Sequence, residues 1–218
     1  MKKLLSLLIF IAIFQSLAGE KIFFSADGMS GQAGNKSSTT VLEGEAFVQT
    51  ESMEIQADSI ELSGDNYSQI KASGKVSGKD LKSNMEFNCD QLVYNRLTKI
   101  ASLQGNVSLK DPQNDVSAKA QIIEYNQNTD IAILQIQISL SQKENVCTGS
   151  YALYMKNQKL LELSGNAQIT QNKDTFRAQH ISLNMETQEI TLDGNVRGSV
   201  TESKGEKSES KGEKSDER

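Results

Sequence analysis

The 218-residue chain is predicted to be all-β, with antiparallel strands joined by tight turns and rolled so that alternate side chains share one interior. Three observations carry this. A glycine flanked by apolar residues returns about every 30 residues, a period that signals stacked units. Apolar and polar residues alternate between those glycines, as in half-buried strands. Clusters rich in Asn and Asp punctuate the alternating runs and supply turns.

In chain order, Met1-Lys2-Lys3 followed by the apolar run Leu4 to Phe14 and by Gln15-Ser16-Leu17-Ala18 has the layout of an export signal, with cleavage expected after Ala18. The apolar run, about 11 residues, is short of the roughly 20 that a spanning helix needs. Domain boundaries are therefore set at 1–18 for the signal, 19–201 for the β domain and 202–218 for a charged tail. The tail repeats Ser203-Lys-Gly-Glu-Lys-Ser and Ser210-Lys-Gly-Glu-Lys-Ser without an apolar residue, so it has nothing to bury.

The repeat has two markers. The first is Leu42-x-Gly44-x-Ala46, Ala72-x-Gly74-x-Val76, Leu103-x-Gly105-x-Val107, Leu163-x-Gly165-x-Ala167 and Leu192-x-Gly194-x-Val196, with Leu134-x-Ile136-x-Ile138 filling the one double gap. The second is a small residue with apolar neighbours two before and three after: Ile55-x-Ala57-Asp58-x-Ile60, Phe87-x-Cys89-Asp90-x-Leu92, Ala118-x-Ala120-Gln121-x-Ile123 and Phe176-x-Ala178-Gln179-x-Ile181. Phe24-x-Ala26-Asp27-x-Met29 is a half-unit ahead of the first glycine, and the fourth unit keeps only Ser150-x-x-Leu153. The step of three after the small residue would lose the inward face unless the strand bulges or turns a corner there. A parallel β-solenoid would show a similar period, and periodicity leaves that choice open.

Little in the chain suggests catalysis. The single histidine, His180, falls at an outward strand position, which leaves no partner set for metal or triad chemistry. Asp27, Asp58 and Asp90 follow the small marker residue, but Gln121 and Gln179 take the equivalent places, which points to a structural role at the corner rather than a calcium ladder. A net charge of −5 gives no cationic footprint for nucleic acid. No enzyme activity, cofactor or metal is expected. Cys89 and Cys147 are expected to be buried free thiols, because stacked strands place them beyond disulfide reach.

What remains is the apolar inner face, for which the candidates are Phe24, Met29, Ile55, Ile60, Leu62, Phe87, Leu92, Tyr94, Ile123, Tyr125, Leu153, Met155, Phe176, Ile181, Leu183 and Met185. Alone, the pattern fits either a dry core or a ligand-lined groove.

The segment Leu163-Ser-Gly-Asn-Ala-Gln-Ile-Thr to His180-Ile-Ser-Leu183, with Ile190-Thr-Leu-Asp-Gly-Asn-Val196, Leu103-Gln-Gly-Asn-Val107 and Ile55-Gln-Ala-Asp-Ser-Ile60, resembles the OstA-like repeat of the LptA family of lipopolysaccharide-transport proteins. The resemblance covers about residues 23 to 200 and extends to LptC-like and LptD-like domains. It implies an open, V-shaped β-jellyroll whose interior takes lipid acyl chains, with Phe24, Ile55, Ile60, Leu62, Phe87, Leu92, Tyr94, Ile123, Phe176, Ile181 and Leu183 as lipid-facing residues. It also implies end-to-end self-association through edge strands at about Phe23 to Met29 and Leu192 to Val200. Partners would be lipopolysaccharide or a related glycolipid and LptC-like and LptD-like proteins, in a bridge between inner and outer membranes. A structural envelope protein with a dry core and a membrane-anchored LptC-like component are the competing readings.

Overall fold

The computed structural model describes residues 21–31 and 39–201. The expected export signal and the charged tail lie outside the described residues. Fourteen strands form one open sheet: β1 (Phe23–Ser25), β2 (Gly28–Gly31), β3 (Thr40–Gln49), β4 (Met53–Ser63), β5 (Gln69–Asp80), β6 (Glu86–Asn95), β7 (Ile100–Asp111), β8 (Val116–Asn126), β9 (Ile131–Gln142), β10 (Asn145–Met155), β11 (Leu160–Gln171), β12 (Asp174–Asn184), β13 (Ile190–Asp193) and β14 (Arg197–Ser199). From β3 to β13 each strand pairs antiparallel with its chain neighbour, so the order is a meander and not a solenoid. At the ends, β1 and β2 both pair with β3, while β13 and β14 both pair with β12, which makes each couple the two arms of one bent edge strand.

Every long strand is bent at the repeat marker, and the bend is a β-bulge. Glu43 pairs with Ser59 and Ala46 with Ala57, so Gly44 and Glu45 together face Asp58. The same two-against-one count recurs where Gly74 and Lys75 face Asp90 and where Gly105 and Asn106 face Gln121. Both residues of the bulge take positive φ, 76° at Gly105 and 46° at Asn106. Glycine is required at the first place for a second reason. The Asp90 side chain lies over Gly105, and an added Cβ would collide with its carboxylate oxygen. The Asp90 carboxylate is fixed by Asn106 Nδ2, which donates to it at 2.9 Å.

At the fourth unit Ile136 occupies the glycine place with φ 66° and is exposed. A β-branched residue in the left-handed region is strained. Opposite outcomes are therefore expected at the two sites. Gly105→Ala should lower the unfolding free energy by about 1–3 kcal/mol, and Ile136→Gly should raise it by about 1 kcal/mol, both read from urea midpoints.

The bend brings the two arms of each strand face to face around a single apolar cluster running from Leu42 to Met185. Alternation places Ile55, Ala57, Ile60 and Leu62 of β4 inward, and the bulge restores the inward phase after the step of three. In β10 the expected alignment fails. Ala152 and Tyr154 are buried, whereas Leu153 and Met155 are only half-buried and lie on the other face. The unit is regular once aligned as Cys147-x-Gly149-Ser150-x-Ala152: Gly149 is the small marker, and Cys147 takes the place held by Phe87 in β6.

Candidate functional site

Eleven of the residues expected to face inward, Ile55, Ile60, Leu62, Phe87, Leu92, Tyr94, Ile123, Tyr125, Ile181, Leu183 and Met185, are buried in the one cluster. Phe176 is partly buried against it. Phe24, 49% exposed, and Met29, 53% exposed, stand at the β1/β2 edge, where only β3 pairs with them, and so they are not enclosed. Phe23, Val196 and Val200 are exposed too, so both ends of the sheet present apolar side chains beside unpaired strand edges.

Cys89 and Cys147 are free and buried. They sit on β6 and β10, four strand spacings apart or roughly 19 Å along the sheet, well beyond disulfide reach. Burial pushes the Cys89 thiol up to about 11 and the Cys147 thiol up to about 12, which makes both poor nucleophiles. His180 is exposed on β12. Among the described residues no three His, Cys, Asp or Glu side chains are grouped to hold a metal ion.

A second feature escaped the sequence reading. Because the strands fold back on themselves, the turns at 50–52, 81–85, 112–115 and 143–144 form one lip of the roll, and those at 96–99, 127–130, 156–159 and 185–189 form the other. Polar side chains join the lips. Tyr94 donates to Gln127 Oε1 at 2.8 Å and lies 2.8 Å from Ser52 Oγ, while Gln127 Nε2 donates to Asp80 Oδ2 at 2.6 Å. Further along, Tyr154 donates to Asp111 Oδ2 at 2.7 Å, and the Lys156 ammonium is 3.4 Å from the same oxygen and 3.4 Å from the Ser83 carbonyl oxygen. Asn114 Nδ2 and the Gln113 backbone N–H complete the Asp111 shell at 2.8 and 3.0 Å. A third cluster follows, in which Gln188 donates to Gln142 Oε1 at 3.2 Å and Asn145 donates to Gln188 Oε1 at 2.7 Å.

These groups were legible in principle. Asp80, Asp111 and Gln142 occupy one inward place in successive units, and Arg96, Gln127 and Lys156 another. Beside turns, such polar residues share the pattern of ordinary turn punctuation.

Asp111 and Lys156 form a buried ion pair, with side chains 0% and 8% exposed. Burial acts to raise the Asp111 pKa, but the hydrogen bonds from Tyr154 and Asn114 and the Lys156 charge outweigh it and hold the carboxyl below its ordinary value. A depressed folded-state pKa stabilises the fold above the unfolded value, and that contribution is lost as pH falls. Stability should accordingly be level above about pH 5 and decline below about pH 4, with a shallower decline in Asp111→Asn. Chemical denaturation across pH measures this directly.

Residues 25–157 and 131–189 match the family described as LptA/(LptD N-terminal domain) LPS transport protein. The chain belongs to this family. A solved structure of LptH, the LptA homologous periplasmic component of the conserved lipopolysaccharide transport device from Pseudomonas aeruginosa, aligns over 84% of this chain and 96% of that chain, at 13% identity and a TM-score of 0.26. At that score the alignment adds no argument, and membership rests on the family match. No curated protein matches. In this member of the LptA/LptD N-terminal family, the described residues form a bent antiparallel sheet with one apolar interior and an exposed edge strand at each end.

Proposed function

We propose that the protein is a non-enzymatic periplasmic carrier of lipopolysaccharide or a related glycolipid, holding acyl chains between the arms of the roll as part of a bridge from the inner to the outer membrane. The observation that carries this is the apolar cluster itself, which runs unbroken across the sheet from β3 to β12 in a family of LPS transport proteins. Ile55, Ile60, Leu62, Phe87, Leu92, Tyr94, Ile123, Ile181 and Leu183 would contact the chains, with Phe176 at the margin. Phe24 and its neighbours at the exposed edges, β1/β2 and β13/β14, would instead pair with a second copy or with LptC-like and LptD-like domains by strand addition.

The test is the lipid content of protein purified from the periplasm without detergent. Native mass spectrometry is expected to show a bound species whose fragments include acyl chains. Protein that is uniformly lipid-free, and that takes up no purified lipopolysaccharide, would argue for a structural protein with a dry core.

A further inference from the structure

The cluster residues are 0–8% exposed, so the interior is closed by its own side chains and by the lips. A carrier with this interior has to open somewhere. The backbone at the bends is locked by bulges and ladder hydrogen bonds on both sides, whereas among the described residues no backbone–backbone hydrogen bond joins one lip to the other, and each bond across involves a side chain. We propose that the polar seam is a latch: the arms part along it, the Asp111–Tyr154–Lys156 and Tyr94–Gln127–Asp80 clusters separate, and acyl chains pass sideways into the interior. This rests on the lipid-carrier reading above.

Three features of the seam suit it to opening. Its contacts are discrete, with residues 43 to 75 positions apart in the chain meeting by one or two hydrogen bonds each. Its groups are polar, so each finds water as a replacement partner when the lips part, which an apolar closure could not offer. It also spans the roll from Ser52 to Gln188, so the opening would run alongside the whole apolar cluster and not only one end of it. Once open, the lip would expose the Lys156 ammonium where the polar part of a lipid with buried acyl chains must emerge.

The experiment closes the seam covalently. In a Cys89→Ala, Cys147→Ala background, Ser52→Cys and Gln127→Cys are joined by a short reducible bis-thiosulfonate spacer, these two side chains being in contact across the lips. Uptake of fluorescently labelled lipopolysaccharide by the full-length protein is followed before and after reduction. A separate Tyr154→Phe variant keeps the ring and deletes one bond to Asp111. Stapled protein is expected to load at least about tenfold more slowly and to recover on reduction, and Tyr154→Phe to load about tenfold faster, the factor set by one lost hydrogen bond to a charged group. Loading of stapled protein at the unstapled rate would overturn the latch and leave the carrier reading standing, because lipid would then be entering from the ends. Failure of stapled, reduced and wild-type proteins alike to load would overturn the carrier reading, and the latch with it.

Discussion

Replacing Lys156 by methionine is expected to lower the unfolding free energy by about 3 kcal/mol, because it strands the Asp111 carboxylate without its counter-charge in a buried position. The Tyr154, Asn114 and Gln113 donors remain and keep the loss at the lower end of the range for broken buried pairs. Two controls separate charge from packing. Adding Asp111→Asn to Lys156→Met should recover most of the loss, since neither partner is then a buried unpaired charge. In the single variant, Asp111 loses the ammonium that helps to depress its pKa, so protonation relieves the defect and the deficit against wild type should shrink below about pH 4. Urea titrations of the three proteins at two pH values contain the whole comparison.

Ile123→Ala is expected to cost about 3–4 kcal/mol, whereas Phe24→Ala should cost less than about 1 kcal/mol although it removes more atoms. Ile123 is 0% exposed at the centre of β8, flanked by Leu103 of β7 and Leu134 of β9, and the strands on both sides limit how far the site can collapse. Phe24 is 49% exposed on an edge arm with one neighbouring strand. If Phe24 packs against a second copy, its truncation should show instead in self-association, measured by sedimentation at rising concentration.

That contrast shows what the sequence could and could not convey. The repeat assigns Ile123 and Phe24 alike to the inward face, and facing is all that such a pattern encodes. Whether an inward residue is covered depends on a second strand beyond it, which is a property of the ends of the sheet. The bends were legible because their chemistry is restrictive: a left-handed backbone beneath an aspartate side chain leaves glycine as the residue that fits, and it recurs. Where that restriction is met at a cost, at Ile136, the marker vanished, and with it the alignment of Ser150 and Leu153 in the following strand.

The seam was harder to see. Asp111 and Lys156 become partners because the strands between them bend, and nothing local to either residue records a contact 45 positions away. The choice between meander and solenoid was likewise settled by pairing direction, to which side-chain alternation is blind.

The interior of this roll is proposed to carry lipid. A photo-reactive amino acid at Phe87, inside the roll on β6, and another at Gln179, outside it on β12, address that claim in living cells. A lipid adduct is expected from Phe87 and none from Gln179. Equal capture at the two positions, or capture at neither, would contradict it.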